Sequence, residues 1–348
     1  MRIAIITVYE PITNLGSYLQ CFALKTFLEE LGHDVDVIGN VPLHKQIFKY
    51  GVRLNPKRAI FLRLKKILFT IKDVSRLNVV YKKKWNPELY DVGIFGSDEI
   101  WNLHNKYFAS DLFWGVNLNI PKIGYAISIG HMTEEEFNQF PQYKKSINNF
   151  LKVFPRDSKT HDMLSGLCNL NDDLVCDPTL LINADKLSLP IKPIRCRYLL
   201  VYSYGLSTKH IEYVRKFAKE NDLIIVSPCF WHIWADKVIE CSALQFSTLM
   251  RGADYVFTTT FHGAVFTLIN HKRCCVYSQR EKVGALVSSL GVSDHLLSDS
   301  SNYDDFVRIM NQDFPVEVFE KKLDTLRDYS RKEIEVILSQ ARNRYEIK

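Results

Sequence analysis

The sequence predicts an α/β protein of two doubly wound parallel-sheet units facing a central cleft, with a long C-terminal helix. Three observations carry that expectation. The 348 residues suffice for about two domains of ordinary size. Short apolar, β-branched runs alternate with stretches of helical period, as expected of parallel strands joined by helices. The alternation lapses once, over a polar stretch carrying Pro190 and Pro193, and then restarts.

In chain order, residues 2–9 (RIAIITVY) are a continuous apolar run of strand length. A turn-rich loop over 10–16 leads to a helical stretch at 17–31, closed by Gly32. A strand at 34–38 completes the opening unit of a parallel sheet. After a basic segment come strands at 90–95 and 122–129, then a capping box of Thr133 and Glu136 that opens a helix. A short strand at 174–176 runs into Asp177 and Pro178, which read as a turn. The linker spans 183–196. Beyond it, strands at 198–204, 223–227, 255–260 and 274–277 alternate with helices at 207–221, 242–251, 262–270 and 282–290. Residues 316–345 form an amphipathic terminal helix. The expected divisions are therefore 1–185 with an insertion at 41–85, 195–312, and a helix at 315–346 that packs back on the first domain.

Composition narrows the class. With 47% hydrophobic and 24% charged residues, 15 Gly and 12 Pro, the chain is neither collagen-like, disordered nor of low complexity. The eight cysteines contain no C-x-x-C pair and sit mostly in apolar runs, so they are expected to be reduced. The opening apolar run is too short for a secretory signal, and no apolar stretch is long enough to cross a bilayer, which points to the cytoplasm. The net charge of +6 is unevenly distributed: residues 41–85 hold thirteen Lys or Arg against Asp73 alone, a local +12 that leaves −6 on the remainder. Bases interleave there with bulky apolar residues, as in 59–69, which fits the surface of an anionic membrane. The competing reading is a helical hairpin whose apolar face is core. Nucleic acid is not expected, because no recognition module accompanies the bases.

Open α/β units bind ligands beyond the carboxyl ends of their strands, so the loops there carry the functional argument. The sharpest is at 258–263, where a strand runs through Thr258, Thr260 and Phe261 into His262, Gly263 and an apolar helix. A helix N-terminus facing the cleft suits a phosphate or carboxylate, and His262 is fit for acid/base work or for pairing with an anion. A capping histidine without chemistry is the alternative. In the second loop, Gly96 and Ser97 allow close backbone approach, Asp98 offers a carboxylate, and Trp101 beside Asn102 offers a flat face for a sugar ring. Here the competing reading is a buried Trp with a helix-capping Asp. The third follows the first strand, where Asn14, Gly16, Ser17 and Gln20 supply groups for hydroxyls or an anion. Neither G-x-G-x-x-G nor a P-loop occurs, which disfavours a dinucleotide, and no histidine or cysteine spacing calls for a metal.

Together these motifs resemble the polysaccharide pyruvyl transferase family. The resemblance rests on Asn14-x-Gly16-Ser17-x-x-Gln20, Gly96-Ser97-Asp98 with Trp101 and Asn102, Lys122 with Tyr125, Ser128 and Gly130, Asp177-Pro178, and Thr258 through Gly263, covering about 2–291. It implies two Rossmann-like domains of the GT-B type and a pyruvyl transfer from phosphoenolpyruvate to two sugar hydroxyls, giving a cyclic ketal without a further cofactor. It also implies His262 and Asp98 as catalytic residues. The donor would be held in the second domain by Thr258, Thr260, Phe261, Gly263, Ser203, Tyr204, Arg280 and Lys282. The acceptor, a glycan or lipid-linked oligosaccharide, would fall to Asn14, Gly16, Ser17, Gln20, Gly96, Ser97, Trp101, Asn102, Tyr125 and Ser128 in the first. Many members carry Arg two positions before the motif histidine; here that residue is Thr260, so Arg280 or Lys282 is expected to supply the cation. The alternatives are a nucleotide-sugar glycosyltransferase of the same architecture, and a non-catalytic glycan- or membrane-binding homologue.

Overall fold

The structure, a computed structural model, describes residues 1–52, 59–105, 109–277 and 281–346. Its first sheet consists of β1 (Arg2–Ile6), β2 (Asp34–Gly39), β3 (Val79–Tyr81), β4 (Val92–Phe95), β5 (Lys122–Ile127) and β6 (Lys152–Pro155), in the order β3-β2-β1-β4-β5-β6. All pairs are parallel. The intervening helices are α1 (Leu15–Glu30), α2 (Leu43–Val52), α3 (Ala59–Val74), α4 (Glu134–Asn138), α5 (Pro141–Ile147) and α6 (Ser158–Leu164). The second sheet repeats the plan with β7 (Tyr198–Tyr202), β8 (Ile224–Pro228), β9 (Lys237–Ile239), β10 (Tyr255–Thr258), β11 (Arg273–Tyr277) and β12 (Leu296–Leu297), in the order β12-β11-β10-β7-β8-β9. Its helices are α7 (Thr208–Glu220), α8 (Ala243–Gly252), α9 (Phe261–Ile269), α10 (Glu281–Ser289) and α11 (Tyr303–Asn311), and α12 (Val316–Glu346) ends the chain. Numbered within each unit, both sheets follow the Rossmann order 3-2-1-4-5-6.

Two compact units result: Met1–Lys57, Thr70–Ile182 and Leu326–Lys348 form one, and Arg58–Phe69 with Asn183–Thr325 the other. In the first unit, α12 is tied down by arginines: Arg327 Nε donates to the Leu180 carbonyl and Arg331 Nε to that of Leu181, both at 2.7 Å. The basic segment departs from expectation, since 58–69 belongs with the second unit and not the first. The reason is Lys66. Its side chain is buried, and Nζ donates to the Cys241 carbonyl at 3.3 Å and lies 3.4 Å from Cys229 Sγ.

Central strands are where the sequence puts them, and edges are not. β1 stops at Ile6 because its neighbours β2 and β4 stop pairing there. α1 starts at Leu15, two residues before the expected Ser17, with Asn14 as the cap accepting from the Ser17 amide at 3.1 Å. Four edge-side strands, β3, β6, β9 and β12, have no counterpart in the sequence reading. They hold only two to four residues each, too few for an apolar run to stand out as a strand. The expected strand at 174–176 is absent: the Val175 amide bonds Pro155, but the Cys176 amide turns to Ser330 Oγ at 2.9 Å.

The core of the first unit is an aromatic stack. Trp101 lies on Trp114 with ring centres 5.3 Å apart, and Trp114 on Tyr143 at 4.6 Å, nearly parallel in both cases. The second core is built from Leu199, Val201, Phe217, Phe257 and Phe306.

Three histidines of the second unit are buried: His210, His232 and His295. Burial holds each below the ordinary imidazole value. The His295 Nδ1–H donates to the Cys274 carbonyl at 3.0 Å, which fixes its tautomer. On acidification the unfolded chain takes up protons that these folded imidazoles refuse. Stability is therefore present above about pH 6.5 and declines as pH falls through it. Denaturant unfolding at stepped pH is expected to show this decline, and His295→Gln to flatten it.

Candidate functional site

In each unit the strands numbered one and four are neighbours, β1 beside β4 and β7 beside β10. That is the switch point of the doubly wound sheet, beyond whose carboxyl ends ligands bind. The sequence motifs are the loops that leave these four strands.

In the first unit the β1 and β4 loops are knitted together. Thr7 Oγ1 donates to the Ser97 carbonyl at 3.0 Å, Gln20 Nε2 donates to Thr7 Oγ1 at 3.3 Å, and Ser97 Oγ donates to Gln20 Oε1. All three side chains are buried. Ser17 is likewise buried, its hydroxyl donating to the Asn14 carbonyl and accepting from the Glu10 amide. Gly16 lies buried in the first turn of α1. Ser17, Gln20 and Ser97 therefore build the loops. Gly96 is required: at φ +118°, a Cβ would collide with the Tyr125 carbonyl oxygen.

Asp98 is the partly open group here. Its carboxylate meets Arg156, with Nη2 3.0 Å from Oδ1, while Nη1 of the same guanidinium lies 3.1 Å from Asp177 Oδ2. Arg156 and Asp177 are almost fully buried. Burial alone would weaken the Arg156 charge, but Asp98 and Asp177 outweigh it and raise its basicity. Asp177 also accepts from the Thr179 amide and hydroxyl, at 3.0 and 2.7 Å. Sequence reading missed Arg156, because no motif marks it and its partners lie 58 and 21 residues away.

Two expectations for this unit are corrected. Trp101 offers no face to a sugar: its indole is fully buried in the aromatic stack, and Nε1 donates to the Phe113 carbonyl at 2.9 Å. Tyr125 also belongs to the core, its hydroxyl donating to the Cys176 carbonyl at 2.9 Å. Burial pushes that phenol well above its ordinary value. Asn102 donates to Glu99 Oε2 and accepts from the His104 amide, which shapes the turn after Asp98. Ser128 is buried and accepts from the Gly130 amide.

In the second unit β10 passes directly into α9. Thr258 Oγ1 donates to the Tyr202 carbonyl at 2.8 Å, anchoring the end of β10 on β7, and accepts from the Thr260 amide. Thr260 is the N-cap of α9, its hydroxyl accepting from the Gly263 amide at 3.0 Å. The expected anion cradle at Gly263 is thus corrected: the cap takes that amide. Glycine is needed for packing instead, since a Cβ would meet Tyr202 Cδ1 at 2.9 Å. Phe261 and His262 are half-buried in the first turn of α9 with their rings edge-on, and Lys282 Nζ sits 5.6 Å from the Phe261 ring centre. Lys282 is thereby brought to the motif; Arg280 lies outside the described residues. Ser203 is buried, bonded to Gly205 and to Thr259 Oγ1 at 2.7 Å, whereas Tyr204 is 64% exposed and packs edge-on against Phe230. The structure thus groups Thr258, Thr260, Phe261, His262 and Lys282, with Ser203 one hydroxyl away through Thr259.

A second polar cluster lies where β8 and β9 end. Cys229 and Cys241 approach with their sulfurs 3.5 Å apart, beside Lys66. The bond with Cys241 and the Lys66 charge lower the Cys229 thiol below its ordinary value, and burial raises Glu240 to about 7. Among the described residues no three His, Cys, Asp or Glu side chains gather to hold a metal ion.

Comparison with known proteins agrees with the motifs and the topology. The family model for polysaccharide pyruvyl transferase matches residues 14–280. Among solved structures, the chain resembles the UDP-GlcNAc 2-epimerase of Methanocaldococcus jannaschii, at 13% identity and TM-score 0.54, covering 98% of this chain and all of that one. The corresponding epimerase of Neisseria meningitidis matches at 12% identity and TM-score 0.55 with the same coverage. At such identities the likeness establishes the fold, two Rossmann-like units of the GT-B type with a long C-terminal helix. No curated protein sequence matches the chain significantly.

Two substitutions test the structural assignments. Trp101→Ala is expected to cost about 3–5 kcal/mol in urea unfolding, the penalty of emptying a core aromatic site. Arg156→Met is expected to cost about 3–5 kcal/mol because it strands the Asp177 carboxylate. Adding Asp177→Asn should recover part of that loss.

Proposed function

Since the chain belongs to the polysaccharide pyruvyl transferase family, we propose that it moves the pyruvyl group of phosphoenolpyruvate onto two hydroxyls of one sugar. The product is a cyclic ketal on a bacterial surface polysaccharide or its lipid-linked precursor, and the reaction takes place on the cytoplasmic side, where the donor is made. The observation that carries the reading is His262 in the first turn of α9 at the second unit's switch point, with Lys282 beside Phe261.

The chemistry needs a proton carrier and an anion clamp. A proton delivered to C3 of the donor turns its methylene into a methyl group and leaves positive charge at C2. One sugar hydroxyl adds to C2 and gives up its proton. The bond from C2 to the phosphate oxygen then breaks, inorganic phosphate leaves, and the second hydroxyl closes the ring with loss of its proton. His262 is the proposed proton carrier. Lys282 and the positive end of α9 are proposed to hold the donor's carboxylate or phosphate, in place of the Arg that Thr260 replaces. In the first unit, Asp98 is the proposed acceptor of a hydroxyl proton, oriented by Arg156.

Incubation with phosphoenolpyruvate and a panel of galactose-, glucose- and mannosamine-containing acceptors is expected to release phosphate and add the mass of the ketal to one acceptor. His262→Ala should lower kcat at least about a hundredfold. Lys282→Ala should raise the KM for phosphoenolpyruvate about tenfold, the loss of one charge-assisted contact. No turnover with any acceptor, together with tight binding of a nucleotide sugar, would transfer the protein to the glycosyltransferases. An undiminished His262→Ala enzyme would remove that residue from the mechanism.

A further inference from the structure

The apolar side of α3 faces solvent. Ile60, Phe61, Leu64, Leu68 and Ile71 are 51%, 73%, 56%, 67% and 46% exposed. At 3.6 residues per turn these five fall within an arc of about 100°, and Lys72 and Lys65, both exposed, lie along one edge of it. Large hydrophobic side chains gathered in one exposed stripe mark a docking surface.

The other side of the helix is committed. In the second unit Lys66 is buried on Cys229 and the Cys241 carbonyl. In the first, Asp73 is buried, its carbonyl accepting from the Tyr18 hydroxyl at 2.9 Å and its carboxylate pairing with Arg76. These anchors stop the helix from rolling to bury its apolar stripe.

We propose that this face of α3 docks on an anionic lipid bilayer, its apolar stripe entering the interface and the surrounding bases meeting the lipid headgroups. Charge selects the occupant. The stripe lies within the segment that carries +12, and Lys82, Lys83 and Lys84 further along it are also exposed. A symmetric dimer through the same face would set two such segments against each other, which like-charge repulsion opposes. Among the described residues no helix is long and apolar enough to cross a membrane, so the contact is peripheral. The inference stands apart from the transferase reading, because vesicle binding is measured without either substrate.

The test is cosedimentation of the purified full chain with phosphatidylcholine vesicles and with equimolar phosphatidylcholine and phosphatidylglycerol vesicles. Binding is expected to the anionic vesicles only and to fall away in high salt. Leu64→Gln/Leu68→Gln should weaken it at least about tenfold. Lys65→Gln/Lys72→Gln should weaken it about thirtyfold. All four positions are exposed, and circular dichroism is expected to match the parent; if the double leucine variant unfolds, Leu64→Gln alone is read in its place. Failure of the parent to sediment with anionic vesicles, or variants that bind as tightly as the parent, overturns the proposal. So does a dimer in size-exclusion chromatography that Leu64→Gln/Leu68→Gln dissociates, which gives the face to a second copy.

Discussion

Parallel pairing of the first strand of each unit with its fourth is the constraint on which the rest of the structure depends. A parallel neighbour is reached only through a right-handed crossover, so successive helices stack on one face of the sheet while the chain winds one way and on the other once it winds back. At β1 beside β4, and at β7 beside β10, the two crossovers leave to opposite faces. The loops there are not covered by a shared helix and can gather polar groups. The candidate site residues sit on those loops: the Thr7, Gln20 and Ser97 network and the Asp98 pair in one unit, and the His262 turn in the other.

The sequence revealed what is local and buried. β1, β4, β7 and β10 are continuous apolar runs because both faces of a central parallel strand are covered. The strands with no such signal lie at the sheet edges and hold only two or three residues, too few to stand out as a run. The motif loops were legible because glycine and hydroxyl residues at a strand exit are needed for tight backbone turns. Which of those residues face outward was not legible. Trp101 as a sugar platform and Trp101 as a core ring have the same sequence, and only the arrival of Trp114, Tyr143 and Phe150 from elsewhere in the chain decides between them. Arg156 was missed for a related reason: its role depends on two carboxylates that long loops bring to it.

The departure at Thr260 acquires a physical meaning at α9. A threonine at the N-cap satisfies one of the free amides of the first turn and holds Gly263 against the end of β10, and Thr258 fixes that strand end to β7. An arginine there would supply charge but a poorer cap. This chain puts rigidity at position 260, and its nearby cation comes from Lys282 on the next helix. Lys282 is tied to the histidine's turn only through its packing on Phe261, whose ring stands edge-on to His262.

Charge segregation separates two demands that one surface would serve badly. Outside 41–85 the chain sums to −6, a field that discourages loose anion binding. The basic segment carries the opposite bias, and its bases are not equivalent. Lys66 is spent on anchoring α3 and Arg76 on Asp73, so neither contributes fully to an outer surface. Two that remain outward, Lys65 and Lys72, border the apolar stripe. A helix that hid its stripe would gain core and need no such border. One that shows it, with cations along the rim and its inner face locked by polar bonds, has given up that burial within the chain, which is the loss that the proposed docking on an anionic interface would restore.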